Sequence, residues 1–147
     1  MKKTVYNDEK AKQNPTFDEG VVKKEVFHKD YNLDKKDNLA EFPETPAVFG
    51  IFAIIHKIPV HPRLVGSTDN LRKRIKEVFD NPEGEGLKKF MQGPWIQMLC
   101  YEEMPDSSEE DRKQKEEEWT KKYEPKITDE GEYPDYKYVW PYDEVDE

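Results

Sequence analysis

Residues 47–56, AVFGIFAIIH, form a nearly continuous apolar run in a chain of 147 residues of which 39% are charged and only 34% hydrophobic. A run of this length bounded by polar sequence fits a buried strand, and it is too short to cross a bilayer. No run of 18 apolar residues occurs anywhere in the chain, and the first residues, Met1 to Thr4, lack the apolar stretch of a secretory signal. The expectation is therefore a soluble, intracellular protein, cytoplasmic or inside an organelle, with one domain and polar extensions. The single cysteine, Cys100, excludes an internal disulfide and any multi-cysteine zinc site.

Charge is unevenly distributed. Residues 1–45 carry 9 basic and 10 acidic side chains, residues 46–126 carry 14 and 15, and residues 127–147 carry 1 and 8. The net charge of −9 thus comes almost entirely from the last segment, and a near-neutral middle can still present a basic patch. Three regions follow: a charged extension over 1–45, a globular domain over 46–126, and an acidic aromatic tail over 127–147. Scattered anchors such as Phe17, Val26, Phe27 and Tyr31 make the first segment a surface-lying extension rather than a solvated linker.

Within the middle region, Pro59 and Pro62 fit a connection over 57–62, and residues 63–66 read as a short second strand. Thr68 or Asp69 can cap a helix whose stripe is Leu71, Ile75, Val78 and Phe79, ended by Asn81, Pro82, Gly84 and Gly86. A short helix around Leu87, Phe90 and Met91 precedes a third strand over 95–101. Ser107 with Glu110 makes a capping box for a charged helix that runs to about Glu124 before Pro125 and holds Trp119 and Tyr123 on one face.

Gly50, Ile51 and Phe52, followed after eleven residues by Leu64, Val65 and Gly66, and then by Asn70, Leu71 and Arg74, resemble the motifs of the GIY-YIG nuclease superfamily. The resemblance extends to Glu116, nine residues before Pro125, and covers about residues 47–126. It implies an α/β (α+β) fold, a small mixed three-stranded sheet flanked by helices, and one-metal hydrolysis of DNA phosphodiesters. Such chemistry needs a phenol to handle the proton of the attacking water, an arginine for charge on the phosphate and a carboxylate for a divalent ion, Mg2+ for example. Carried over by position, Arg74 is the arginine and Glu116 the carboxylate, with Glu117 one register step away. The two tyrosines fall at Phe52 and Leu64, and the His or Tyr four residues beyond the arginine falls at Val78. Three proton-handling groups are replaced by side chains without one.

The reading that follows is a catalytically inactive domain, with no catalytic set and no bound metal expected, serving as a structural or interaction subunit of a larger assembly, a mitochondrial complex being one setting. Its alternatives are an active metal-dependent endonuclease, in which His56 or His61 supplies the base, and a non-cleaving nucleic-acid-binding module using Lys57, Arg63, Arg72, Lys73, Arg74 and Lys76. For Arg74 the plainer role is a helix-surface partner of Glu77 or Asp80, and for Glu116 a place in a solvated charged run; His28 has no partner in sequence. Tyr133, Tyr136, Tyr138, Trp140 and Tyr142 are the expected anchors for a protein partner, because large rings with polar tips dominate interface hot spots.

Overall fold

A computed structural model describes residues 1–135 and 137–147. Its centre is a four-stranded antiparallel sheet in the order β2-β5-β3-β4, built from β2 (Val22–Val26), β3 (Ala47–Ile55), β4 (Ile58–Thr68) and β5 (Gln97–Glu103). The apolar run is β3, an inner strand with seven consecutive buried residues, as a strand covered on both faces requires.

The register sorts the side chains into two layers. Phe49, Ile51 and Ala53 face one side with Leu64, Leu99 and Tyr101, while Val48 and Phe52 face the other with Val65, Met98 and Cys100. The first layer is covered by α2 (Leu71–Asp80) and α3 (Glu85–Gln92), whose buried residues are Leu71, Ile75, Val78 and Phe79 and then Leu87, Phe90 and Met91. The second is covered by α4 (Glu109–Tyr123), which contributes Trp119 and Tyr123, and by Phe17 and Val21.

The structure revises the expected sheet in three ways. It has four strands rather than three, because residues 22–26 of the N-terminal segment pair with β5 and satisfy backbone groups that would otherwise line a bare edge. All neighbouring strands are antiparallel, not mixed. Residues 57–62 are not a connection: β4 begins at Ile58, the turn is His56-Lys57, with both residues at positive φ (49° and 66°), and Pro59 and Pro62 are tolerated because β4 is an edge strand.

The helix caps also shift. Asn70, not Thr68 or Asp69, caps α2 by accepting from the Lys73 amide, and Thr68 Oγ1 accepts from the Asn70 amide. The capping box of α4 is Ser108 with Asp111, one residue beyond the expected pair.

The two ends of the chain meet in a second sheet. Strand β1 (Lys2–Tyr6) pairs antiparallel with β6 (Tyr142–Asp146), and the short helix α1 (Asp8–Ala11) follows β1. Asn14, buried, grips Val139 with both ends of its amide: Nδ2 donates to the carbonyl at 2.7 Å and Oδ1 accepts from the amide at 3.0 Å. Asn7 and Lys10 both bond the Asp143 carboxylate.

Gly86, in the central unit, is fixed by contact. A Cβ on Gly86 would lie 2.1 Å from the Thr128 carbonyl oxygen, so the approach of α3 to the segment after α4 requires its absence.

Candidate functional site

Helix α2 starts where Asn70 turns the chain off β4, and its apolar stripe docks on the first layer of the sheet. Arg74 is off that stripe, at the mouth of a cavity of about 120 Å³ that it lines together with Arg63, Leu64, Val78, Glu83 and Ile127. Three of the five positions singled out in the sequence, Leu64, Arg74 and Val78, therefore come together. Leu64 and Val78 give the cavity an apolar wall, and Arg74 Nη1 lies 3.4 Å from Glu77 Oε2.

The other two are elsewhere. Phe52 projects from the opposite face of the sheet and is fully buried, with Phe17 edge-on at 5.4 Å and Tyr123 edge-on at 5.6 Å between ring centroids. Glu116 accepts a hydrogen bond from Ser67 Oγ at 3.1 Å. Leu64 and Ser67 project from opposite faces of β4, so the edge strand stands between the Arg74 cavity and the Glu116 carboxylate. Glu117 is exposed.

A phenol does stand next to the ring at position 52, although nothing in the sequence motifs marks it. Tyr123 reaches this place because the α4 stripe packs on the second layer. Its hydroxyl donates to the Thr16 carbonyl at 2.9 Å, and burial, reinforced by nearby Cys100 and Asp18, pushes its ionisation well above the ordinary tyrosine range. A phenol so placed is held protonated and its proton is already bonded, the reverse of what a base requires.

None of the histidines lines the Arg74 cavity. His56, at the β3–β4 turn, has Nδ1 3.1 Å from the Tyr138 hydroxyl and meets the Trp140 ring edge-on at 4.8 Å. His61 stacks on Tyr133 at 4.4 Å, and burial holds its ionisation below the usual histidine value. His28 is buried, with Nδ1 accepting from the Asp30 amide and Nε2 3.0 Å from Asp80 Oδ1.

Cation chemistry can be tested on the same geometry. The group of His28, Asp30 and Asp80 has donor atoms close enough to share an ion, but Lys76 Nζ already lies 2.8 Å from Asp80 Oδ2. That bond is the main reason the Asp80 carboxyl sits below the ordinary aspartate range. Glu116 belongs to no such three-donor group among the described residues, and its nearest polar partner is a hydroxyl. Glu116 is thus a lone carboxylate, the kind of single protein ligand that Mg2+ can share with water and a substrate phosphate, and no step is derived through such an ion.

The six basic residues of the expected patch differ in their surroundings. Arg63 is buried, with its guanidinium 4.7 Å from the centre of the Phe90 ring and Nε donating to the Gly131 carbonyl at 3.4 Å. Arg72 donates to the carbonyls of Phe42 and Ala40, tying α2 to residues 39–42. Lys76 pairs with Asp80 and Arg74 with Glu77, while Lys57 and Lys73 are exposed. Of the aromatic tail, Tyr133 is buried with its hydroxyl donating to the Glu124 carbonyl, Tyr138 and Tyr142 are half-buried, and Trp140 is 45% exposed. Tyr136 lies outside the described residues.

A family model described as the GIY-YIG catalytic domain matches residues 48–128, more than half of the chain. The protein belongs to the GIY-YIG family. No curated protein and no solved structure matches it.

Proposed function

We propose that this chain is a GIY-YIG domain that has lost phosphodiester cleavage and acts as an interaction subunit of a larger protein assembly. The observation that carries the reading is the environment of position 52: a phenyl ring, fully buried, enclosed by Phe17 and Tyr123, with the adjacent phenol committed to Thr16. Phe52 is closed off from water, so the first proton-handling position of the family's chemistry has lost its functional group and its access together. Leu64 and Val78 withdraw two further groups from beside Arg74.

The replacing side chains, Phe52, Leu64 and Val78, are apolar and packed in the two layers of the sheet, so the fold persists without the reaction. Trp140, exposed on a tail whose other described aromatics are packed, is the ring best placed to anchor a protein partner. The nucleic-acid alternative draws less support, since Arg63 and Arg72 spend their donors on the chain's own carbonyls.

The test is a nicking assay on duplex, branched and single-stranded DNA with Mg2+ and with Mn2+. No cleavage is expected. Metal-dependent nicking that disappears in Arg74→Ala would overturn the reading. For the partner claim, Trp140→Ala should reduce stoichiometric co-purification with the native assembly, and undiminished recovery would return the tail to a purely intramolecular role.

A further inference from the structure

A second cavity is larger than the one beside Arg74. It has a volume of about 650 Å³ and lies where the terminal sheet meets the central unit, with walls from β1 and α1, from residues 14–17, from the start of β4, and from Pro141 and Tyr142. Its floor is apolar, including Phe17, Met98 and Tyr142.

Three lysines, Lys12, Lys23 and Lys57, line the cavity with a single acidic residue, Asp8. This reverses the balance of a chain with a net charge of −9. Lys12 has one exposed acidic neighbour, Glu9 at 3.7 Å, and no carboxylate is within ion-pair distance of Lys23 or Lys57 among the described residues. Lys23 instead lies over the Phe17 ring, 5.4 Å from its centre, which places an ammonium at the edge of the apolar floor. Lys57 is held at the tip of the β3–β4 turn by a backbone at φ 66°.

We infer that this cavity is a binding site for a small organic anion with an apolar, preferably aromatic, body. Its volume lies in the roughly 300–1,000 Å³ range of small-ligand pockets, where apolar walls supply most of the contact and a few charged groups set orientation. An extended polyanion such as a nucleic acid strand fits poorly, because β6 continues from Tyr142 into Asp143, Glu144 and Asp146, which repel a chain of phosphates leaving the cavity. The site is separate from the Arg74 cavity, and its occupation is independent of whether the chain cleaves DNA.

The probe is 8-anilinonaphthalene-1-sulfonate, an aromatic sulfonate, titrated into the full chain by fluorescence and compared with the uncharged N-phenyl-1-naphthylamine. One saturable sulfonate site is expected. In the variant Lys12→Gln/Lys23→Gln/Lys57→Gln its affinity should fall by about tenfold or more while that of the neutral dye is unchanged, since only the charge complement has been removed. Ala11→Trp, which fills the cavity from α1, should weaken both dyes. Because that variant perturbs a short helix, amide shifts of the unaltered protein are mapped in parallel and should concentrate at Thr16, Lys57 and Ile58. Unchanged sulfonate affinity in the triple variant, or shifts concentrated away from these residues, would overturn the inference.

Discussion

The central unit and the terminal sheet are held by different physics. Around β3 the contacts are apolar and come from both faces, with Phe49, Phe52, Leu71, Ile75, Phe79 and Leu99 all essentially without exposure. In the terminal sheet all five β1 residues are exposed, and the side-chain bonds that join its N- and C-terminal halves are directional: the Asn14 amide on Val139, and Asn7 and Lys10 on Asp143. Apolar burial carries no charge and is little affected by pH or moderate salt. Exposed ion pairs are screened by salt and lost when their carboxylate is protonated, so the same chain should have a robust centre and a condition-sensitive rim.

The largest expected effect is on the centre. Phe79→Ala removes a ring packed against His28 and Tyr31 and should cost about 3–5 kcal/mol, unfolding the central sheet as a unit in a denaturant titration. A loss below about 1 kcal/mol would mean that the first layer repacks freely, which close packing does not allow.

Next is Phe52→Tyr, which restores the family's phenol. With the ring fully enclosed, the added hydroxyl lacks a route to water, and the change should destabilise by about 1–3 kcal/mol and create no nicking. A stabilised variant, or one that cleaves DNA, would break both the packing account and the functional one.

Asn14→Ala should act on the rim alone. Losing two bonds to Val139 costs about 1–2 kcal/mol, read as faster hydrogen exchange at β1 and β6 with β3 and β5 amides unaffected. Equal acceleration in β3 would show that the two regions form one cooperative unit.

The smallest effect is a pH response. Lys10, and after it Asn7, hold the Asp143 carboxyl below the ordinary aspartate range. A carboxyl depressed in the folded state adds stability that is present above the unfolded value, about 3.9, and is lost as pH falls through the folded value. The terminal sheet should therefore loosen in acid before the centre does, and Asp143→Asn should remove that difference in exchange rates between pH 6 and acid. A terminal sheet that stays equally protected in the variant and the parent across that range would mean that Asp143 is not its acid-sensitive tie.

This contrast also explains what the sequence revealed. The 47–56 run, the Leu71-Ile75-Val78-Phe79 stripe and the pair Trp119 and Tyr123 became β3, α2 and the inner face of α4, because apolar periodicity reports burial directly. The glycine and arginine spacing gave the family, which the match over 48–128 establishes. What stayed hidden depends on partners distant in sequence. Nothing local in Val22–Val26 announces pairing with β5, or in Lys2–Tyr6 pairing with Tyr142–Asp146 at the other end of the chain. The same holds at the candidate site: the sequence located Phe52, Leu64, Arg74 and Val78, but the burial of Phe52 under Phe17 and the capture of the Tyr123 hydroxyl by Thr16 come from the N-terminal segment folding back. Prolines at 59 and 62 pointed to a loop because their positional meaning changes when the strand lies at an edge.

That edge has a consequence for how copies of the protein behave at high concentration. A sheet with two open sides is a template on which like molecules can stack. Here β4 offers no amide proton at Pro59 or Pro62, its ladder with β3 is interrupted by register shifts on both sides of Phe52, and the Lys126 amide already donates to the Pro62 carbonyl at 3.3 Å. The opposite margin, β2, is only five residues long and carries Lys23, Lys24 and Glu25. Neither side can be extended by another molecule without displacing something or burying charge, so crowded solutions of the folded chain should stay clear of fibres seeded by this sheet.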